Sequence, residues 1–156
     1  MNVFHVRKGV ETYGYEIGVL LVNCKETPFI PGDIGNVSTF DFPVLYKTVP
    51  DLTLKRLLEN DDFSLADPII EAAISLESSG VKAITSDCGY MIKFQKHVAE
   101  AVKIPIILSS LLQVPMLLNT LGKSGKIAII CANKVRLTIE LLKRSAITDT
   151  DRTVIY

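Results

Sequence analysis

Apolar residues along this chain form short runs of strand length, and stretches with a helical period separate them. Runs of four to eight apolar, β-branched residues are typical of strands buried on both faces, and an apolar stripe every three or four residues is typical of a packed helix. Strands that alternate with helices indicate a parallel sheet with right-handed crossovers. The predicted strands cover residues 15–23, 43–49, 81–86, 104–110, 125–133 and 152–156.

Five helices are predicted between these strands. Gly80 follows the second one in the position where a glycine commonly ends a helix. The third is amphipathic, and Pro115 is expected to kink the fourth because proline removes a backbone donor. The predicted helices cover residues 51–60, 65–80, 90–102, 110–122 and 134–146.

The alternation predicts an α/β fold: a three-layer domain around a parallel sheet, doubly wound in the flavodoxin-like manner, followed by the start of a second similar domain. Residues 15–24 and 125–133 are alike, since both are apolar strands that end near a cysteine. This likeness assigns residues 1–122 to the first domain and residues 123–156 to an incomplete second one. Any two core strands of a parallel sheet look similar, so an interpretation without a second domain stays open. The apolar ending at 153–156 favours a fragment, or a tail that needs a partner.

Composition narrows the class of partner. Hydrophobic residues make up 48% of the 156 residues, and 17 basic residues balance 17 acidic ones. A concentrated basic face is therefore absent, which excludes nucleic acid and membrane surfaces as expected partners. The first residues lack a signal-peptide pattern, and prolines and polar residues interrupt the longest apolar stretch, so a cytoplasmic protein is expected.

The cysteines and histidines suggest neither a disulfide framework nor a metal site. Three cysteines without a CxxC spacing are an odd set, and His5 and His97 lie far apart in sequence. No metal or cofactor is therefore expected. Cys24 and Cys131 are interpreted as inert core residues, because neither precedes a glycine that opens a helix.

Cys88 is the main candidate for chemistry. Ligands of parallel sheets bind at the carboxyl ends of the strands, and Cys88 follows a strand just before the helix predicted to begin at Gly89 or Tyr90. The free N–H groups of that helix favour a thiolate and can hold a carboxylate. Asp87 would raise the pKa of the thiol, accept its proton or cap the helix. Alternatively, Cys88 packs as a small buried hydrophobe.

Two further segments reach the same edge of the predicted sheet. The loop that contains Asp33, Gly35 and Asn36 is expected to fold back over the strand ends and to offer backbone or amide donors to a ligand, although Pro-Gly-Asp is also ordinary turn chemistry. Ser109 and Ser110 are candidate donors as well, with a plain helix N-cap as the alternative.

Three of these segments together resemble the aspartate/glutamate/hydantoin racemase superfamily. They are the Pro-Gly-Asp-Ile-Gly-Asn loop at 31–36, the AITSDCGYM segment at 83–91 and the GKIAIICAN segment at 125–133. The resemblance runs from about Tyr15 to the end of the chain. It implies two similar α/β domains that face each other across the active site, each with one catalytic cysteine and no cofactor.

The resemblance also implies roles for individual residues. Cys88 corresponds to the base of the first domain, whereas Thr85, Gly89 and Tyr90 lie where that domain contacts the substrate carboxylate. Residues 33–36 lie where the family's first loop lines the pocket.

A cofactor-independent racemase of Asp, Glu or hydantoin-like substrates is the activity that the resemblance implies. Such an enzyme places two bases on opposite faces of the α-carbon. The second cysteine would follow a later strand than the sequence includes, and Cys131 lies too early to replace it, so this chain alone is expected to be inactive. Two alternatives are a decarboxylase of the same superfamily, against which Cys88 argues, and a non-catalytic α/β domain that binds a carboxylate. Exposed apolar surface on an incomplete domain favours a homo-oligomer.

Overall fold

The structure is a computed structural model that describes residue 3, residues 6–59 and residues 63–156. His5, one of the two histidines considered for a metal site, lies outside the described residues. Six strands are present in the described part of the chain: β1 (Ile17–Leu21), β2 (Val44–Thr48), β3 (Ala83–Ser86), β4 (Ile106–Ile107), β5 (Ile127–Ile129) and β6 (Thr153–Ile155).

The first four strands form one parallel sheet in the order β2-β1-β3-β4. Ile17 of β1 is in register with Val44 of β2 on one side and with Ala83 of β3 on the other. The strand order therefore reverses between β1 and β3, and this reversal opens a crevice at the carboxyl ends of a doubly wound sheet. The predicted α/β fold is confirmed.

β5 and β6 pair only with each other, in a separate two-stranded parallel sheet. The segment that connects β4 to β5 thus leaves the first sheet instead of adding a fifth strand to it. The division into a first domain of residues 1–122 and a second of 123–156 stays a prediction.

Five α-helices and five short 3₁₀ helices connect the strands within the described residues. The α-helices are α1 (Leu54–Glu59), α2 (Ala66–Ser78), α3 (Gln95–Ala101), α4 (Val114–Thr120) and α5 (Ile139–Arg144). The 3₁₀ helices cover Val37–Thr39, Phe63–Leu65, Gly89–Phe94, Ser110–Gln113 and Thr150–Arg152. None of the helices in these described ranges is long and apolar enough to cross a membrane.

Two predicted helices differ in their first turns. The helix predicted over 90–102 begins as the 3₁₀ helix Gly89–Phe94. Residues 90–94 are all buried, so this segment packs against the protein on every side and not through a single apolar stripe. Pro115 does not kink α4. It lies in the first turn of that helix, where a backbone N–H would have no acceptor within the helix, so proline breaks no hydrogen bond there.

β4 is shorter than the predicted strand 104–110, because side chains satisfy the backbone groups beyond its two paired residues. The Gln95 side chain donates to the carbonyl of Ile106 at 2.9 Å and accepts the N–H of Leu108 at 2.8 Å. The Ser86 hydroxyl donates to the carbonyl of Leu108 at 2.7 Å. These bonds fix the end of β4 beside the end of β3.

The core lies between the four-stranded sheet and α2. Ile69, Ala73 and Leu76 of α2 are fully buried, and each large apolar side chain removed from water stabilises the fold by about 1.5–3 kcal/mol. Gly80 ends α2 as predicted, at a φ of +87° and against the backbone of Thr12, where a side chain has no room.

Candidate active site

A cavity of about 320 Å³ lies at the carboxyl ends of β3 and β4. Polar groups from the ends of both strands line it, and Ile34 of the long first loop closes one side. Ile107 and Leu108 contribute apolar surface. The polar lining residues are Thr85, Ser86, Asp87, Ser109, Ser110 and Gln113, together with the backbone of Gly89.

Asp87 connects the ends of β1 and β3. Its carboxylate accepts the N–H of Val22 at 3.0 Å and 3.2 Å, and its own N–H donates to the carbonyl of Leu20 at 3.2 Å. Burial raises the pKa of Asp87 from its ordinary value near 3.8 to about 6, and the nearby charge of Asp33 raises the pKa further, while the backbone N–H bonds oppose the shift. Asp87 therefore ties two strands together and does not cap the following helix.

Cys88 is the residue before the 3₁₀ helix Gly89–Phe94, and its carbonyl accepts the N–H of Met91 at 2.9 Å. The sulfur is partly buried and lies close enough to Asp87 and Cys24 for their charges to affect it. Asp87 and Gly89, the residues on either side of Cys88, both line the cavity. The sequence thus placed the thiol correctly at the strand end.

The predicted depression of the thiol pKa is wrong. Burial raises the pKa of Cys88 to about 11, the charges of Asp87 and Cys24 raise it as well, and only the N–H of Tyr90 opposes them. A single N–H of a short 3₁₀ helix lowers the pKa of the thiol less than the loss of solvent raises it. Cys88 is a thiol at neutral pH when the cavity holds no ligand.

Cys24 and Cys131, which the sequence predicted to be core residues, pack against the core without being fully buried. Both are partly exposed: Cys24 contacts the hydroxyl of Thr27 at 2.7 Å, and the Cys131 sulfur donates to the carbonyl of Tyr156 at 3.4 Å. Among residues 3, 6–59 and 63–156, no three His, Cys, Asp or Glu side chains come together as metal ligands.

The first loop folds back over the strand ends, as predicted, but its polar groups mainly bond to the loop itself. The Asp33 carboxylate accepts the N–H of Gly35 at 2.7 Å, and the Asn36 amide donates to the carbonyl of Phe29 at 2.7 Å. Gly35 lies against the ring of Phe29, where a Cβ atom has no room. The loop brings Ile34 and the charge of Asp33 to the site, and it does not bring the Asn36 amide there.

Thr85 and Ser109 line the cavity with hydroxyls that also bond to the protein. Thr85 donates to the carbonyl of Ile107 at 2.8 Å. Ser109, only 4% exposed, accepts the N–H of Leu111 at 3.2 Å and so caps the next 3₁₀ helix, as the alternative interpretation allowed. Both remain predicted ligand contacts. Sequence reasoning missed Ser86 and Gln113, because nothing in a linear pattern shows that their side chains face the same cavity.

Tyr90 points to the second sheet. Its ring is buried, and its hydroxyl donates to the carbonyl of Asn133 at 2.8 Å and accepts the N–H of the same residue at 3.1 Å. Burial raises the pKa of Tyr90, and a bond to Cys131 adds to the shift. The carboxylate contact of Tyr90 stays a prediction. Its hydroxyl is already hydrogen-bonded to the backbone of Asn133, in the turn after β5.

Comparison with known proteins gives a consistent set of names. No family model matches the chain. A dimethylsulfoniopropionate lyase of Durusdinium sp. clade D is 35% identical over 123 residues, which cover 78% of this chain and 40% of that protein. Dimethylsulfoniopropionate lyase 6 of Emiliania huxleyi (strain CCMP1516) is 29% identical over 143 residues, and dimethylsulfoniopropionate lyase 2 of Emiliania huxleyi is 32% identical over 135 residues. The chain spans between 36% and 40% of the length of these relatives.

A search of solved structures finds a candidate Asp/Glu racemase from Yersinia pestis, with a TM-score of 0.59 and 15% identity over 90% of this chain and 64% of that one. A likeness at this identity shows a shared fold and nothing about the reaction. It agrees with the α/β architecture described above.

The racemase assignment is therefore wrong. The curated relatives are named lyases, and neither the predicted isomerase nor the decarboxylase and binding-domain alternatives correspond to those names. The motifs that suggested the racemases are a loop after the first strand and a cysteine turn after a later one. They position a thiol without fixing the reaction that it performs.

Proposed function

We propose that this chain carries the elimination site of a dimethylsulfoniopropionate lyase, with Cys88 as the base. The names of the curated relatives, which align with three quarters or more of this chain, carry the proposal. The substrate is a propionate whose third carbon bears a dimethylsulfonium group. A lyase acting on it eliminates dimethyl sulfide and leaves acrylate.

The reaction requires one base on one face of the substrate. The Cys88 thiolate removes a proton from the carbon next to the carboxylate, and the electron pair of that C–H bond forms the new double bond. The carbon–sulfur bond breaks, and its electron pair leaves on sulfur as neutral dimethyl sulfide, which needs no proton. The proton on Cys88 then returns to water. A single strand-end thiol is thus sufficient for elimination, whereas racemisation requires two opposed bases.

Donors at the cavity wall match the carboxylate of such a substrate. The backbone N–H groups of Gly89 and Ser110 open two 3₁₀ helices and have no partner within those helices. The Ser109 hydroxyl accepts one bond and keeps its proton for donation. These donors stabilise the negative charge that grows on the carboxylate as the proton leaves.

The high pKa of Cys88 is compatible with this role because one end of the zwitterionic substrate carries a positive charge. A sulfonium group beside the sulfur favours the thiolate and lowers the pKa of the thiol. The thiol then releases its proton to water, and the thiolate that forms beside the bound substrate accepts the proton from carbon.

The test is the release of dimethyl sulfide from dimethylsulfoniopropionate, measured by headspace gas chromatography together with acrylate. We expect equal amounts of both products, and a fall of about 10²–10⁴-fold in Cys88→Ala, which is the usual effect of removing a general base. Cys131→Ala is the matched control and should retain activity, because its thiol follows β5 and donates to the carbonyl of Tyr156, whereas Cys88 follows β3. Release at the spontaneous rate by the unmodified chain, or full activity of Cys88→Ala, would exclude the proposal.

A further inference from the structure

Asp87 lines the cavity, and its carboxylate has bonding capacity to spare. Both of its oxygens share one donor, the N–H of Val22. An ionised carboxylate offers about four acceptor positions. Throughout the described ranges, no Lys, Arg or His forms an ion pair with Asp87, although burial makes an uncompensated negative charge costly.

A second negative charge reinforces the first. Asp33, held by its bond to the N–H of Gly35, lies close enough to raise the pKa of both Asp87 and Tyr46. It too has no ion-pair partner among residues 3, 6–59 and 63–156. The two carboxylates come from different elements, the end of β3 and the first loop, and both favour a cation at this side of the cavity.

The cavity that Asp87 lines also has apolar residues in its wall. They are Ile34, Ile107 and Leu108. A methylated onium group carries a positive charge but no N–H donors, so it is satisfied by a nearby carboxylate and by contact of its methyl groups with hydrocarbon. A primary ammonium is more strongly hydrated than a methylated onium group, so it loses more solvation when it enters a partly apolar cavity.

We propose that Asp87 is the residue that selects the substrate by the positive charge of its onium group, so that the cavity binds methylated onium carboxylates in preference to carboxylates of the same shape that lack this charge. This inference rests on the proposed function, because it places the sulfonium group beside Asp87 and the carboxylate beside Gly89 and Ser110. Asp87 also joins β1 to β3, and the test must separate binding of the cation from this structural role.

The experiment measures binding, not turnover, with two probes that differ in charge. One is 3-(trimethylammonio)propionate, whose ammonium end is positively charged and a poor leaving group, and the other is 4,4-dimethylpentanoate, in which a neutral carbon replaces the nitrogen. Isothermal titration calorimetry on the 156-residue chain should show at least tenfold tighter binding of the cationic probe. Asp87→Asn keeps an oxygen for the N–H of Val22 and removes the charge. It should weaken binding of the cationic probe about tenfold and change that of the neutral probe less than twofold.

Asp41→Asn, at an exposed position, is the matched control and should change neither affinity. Equal binding of both probes by the unmodified chain, or an equal loss of both in Asp87→Asn, would overturn the inference. If Asp87→Asn does not fold, Asp33→Asn decides in the same way, with a smaller loss of the cationic probe expected and an unchanged affinity overturning the proposal. If the chain releases dimethyl sulfide but binds both probes equally, only this inference fails. If it prefers the positively charged probe but releases no dimethyl sulfide, the proposed function fails.

Discussion

At the scale of single residues, burial determines the state of the two groups at the end of β3. It raises the pKa of Asp87 to about 6 and that of Cys88 to about 11, and in both cases the loss of solvent outweighs the backbone N–H groups that favour the charged form. The two groups also affect each other, since the charge of Asp87 raises the pKa of the thiol. Chemistry at this turn therefore depends on what the cavity holds.

The raised pKa of Asp87 has a consequence for stability. The unfolded chain ionises Asp87 near pH 3.8 and the folded chain near pH 6, so its favourable contribution is complete below pH 3.8 and is lost as the pH rises through about 6. Asp33 and Cys88 are the titratable groups that face it. Asp87→Asn should therefore increase the free energy of unfolding at pH 8, on the order of 2 kcal/mol after allowance for solvent at the cavity.

Urea unfolding at pH 8 and pH 4 measures this effect, and the gain should disappear at pH 4, where the wild-type carboxyl is largely protonated. Asp41→Asn serves again as the control and should show no difference between the two pH values. A uniform loss of stability in Asp87→Asn at both pH values would mean that the bond to Val22, and not the charge, dominates.

At the scale of elements, the 3₁₀ helix Gly89–Phe94 connects the site to the second sheet. It begins directly after Cys88, and Tyr90 in its first turn bonds to both backbone groups of Asn133. The amphipathic pattern predicted an ordinary α-helix here. The segment adopts the tighter helix where it is buried on all sides, and it becomes α-helical at Gln95, where one face reaches solvent.

Tyr90→Phe tests this connection. Removal of the hydroxyl leaves the N–H and carbonyl of Asn133 without their partner and should lower the free energy of unfolding by about 1 kcal/mol. Hydrogen exchange of the Asn133 amide should accelerate, while that of Val19 in β1 should not. Tyr156→Phe, at an exposed tyrosine, is the control. Identical exchange in the two variants would show that water replaces the Tyr90 hydroxyl without loss.

At the scale of the whole molecule, the two sheets differ in how much surface they bury. Val19 and Leu20 at the centre of β1 are fully buried, whereas Ile130 just after β5 is 87% exposed. Parallel sheets are ordinarily covered on both faces, and two strands alone are marginal. Exposed Ile130 and Tyr156 are in keeping with the expected self-association, which stays a prediction.

Native-state hydrogen exchange should therefore divide the chain into two units. Amides just after β5 and β6, those of Cys131 and Tyr156, should exchange at least tenfold faster than those of Val19 and Leu20, because the small sheet opens without unfolding the large one. Equal protection in both sheets would show that the chain unfolds as one cooperative body.

Sequence patterning by itself determined the α/β class, most helices and strands, and the position of Cys88 at a strand end. These depend on local features: apolar periodicity along each element, and glycine where φ is positive, as at Gly80. The names of relatives, not the motif, overturned the racemase assignment.

The tertiary structure alone decided the arrangement and the pKa values of the side chains at the strand ends. Which side chains share the cavity, that Asp87 bonds to Val22, and that the Cys88 thiol has a raised pKa all depend on contacts between segments distant in sequence. The pKa of a side chain depends on all the groups that bury it and on all the charges near it. The order of residues along the chain does not show which groups these are.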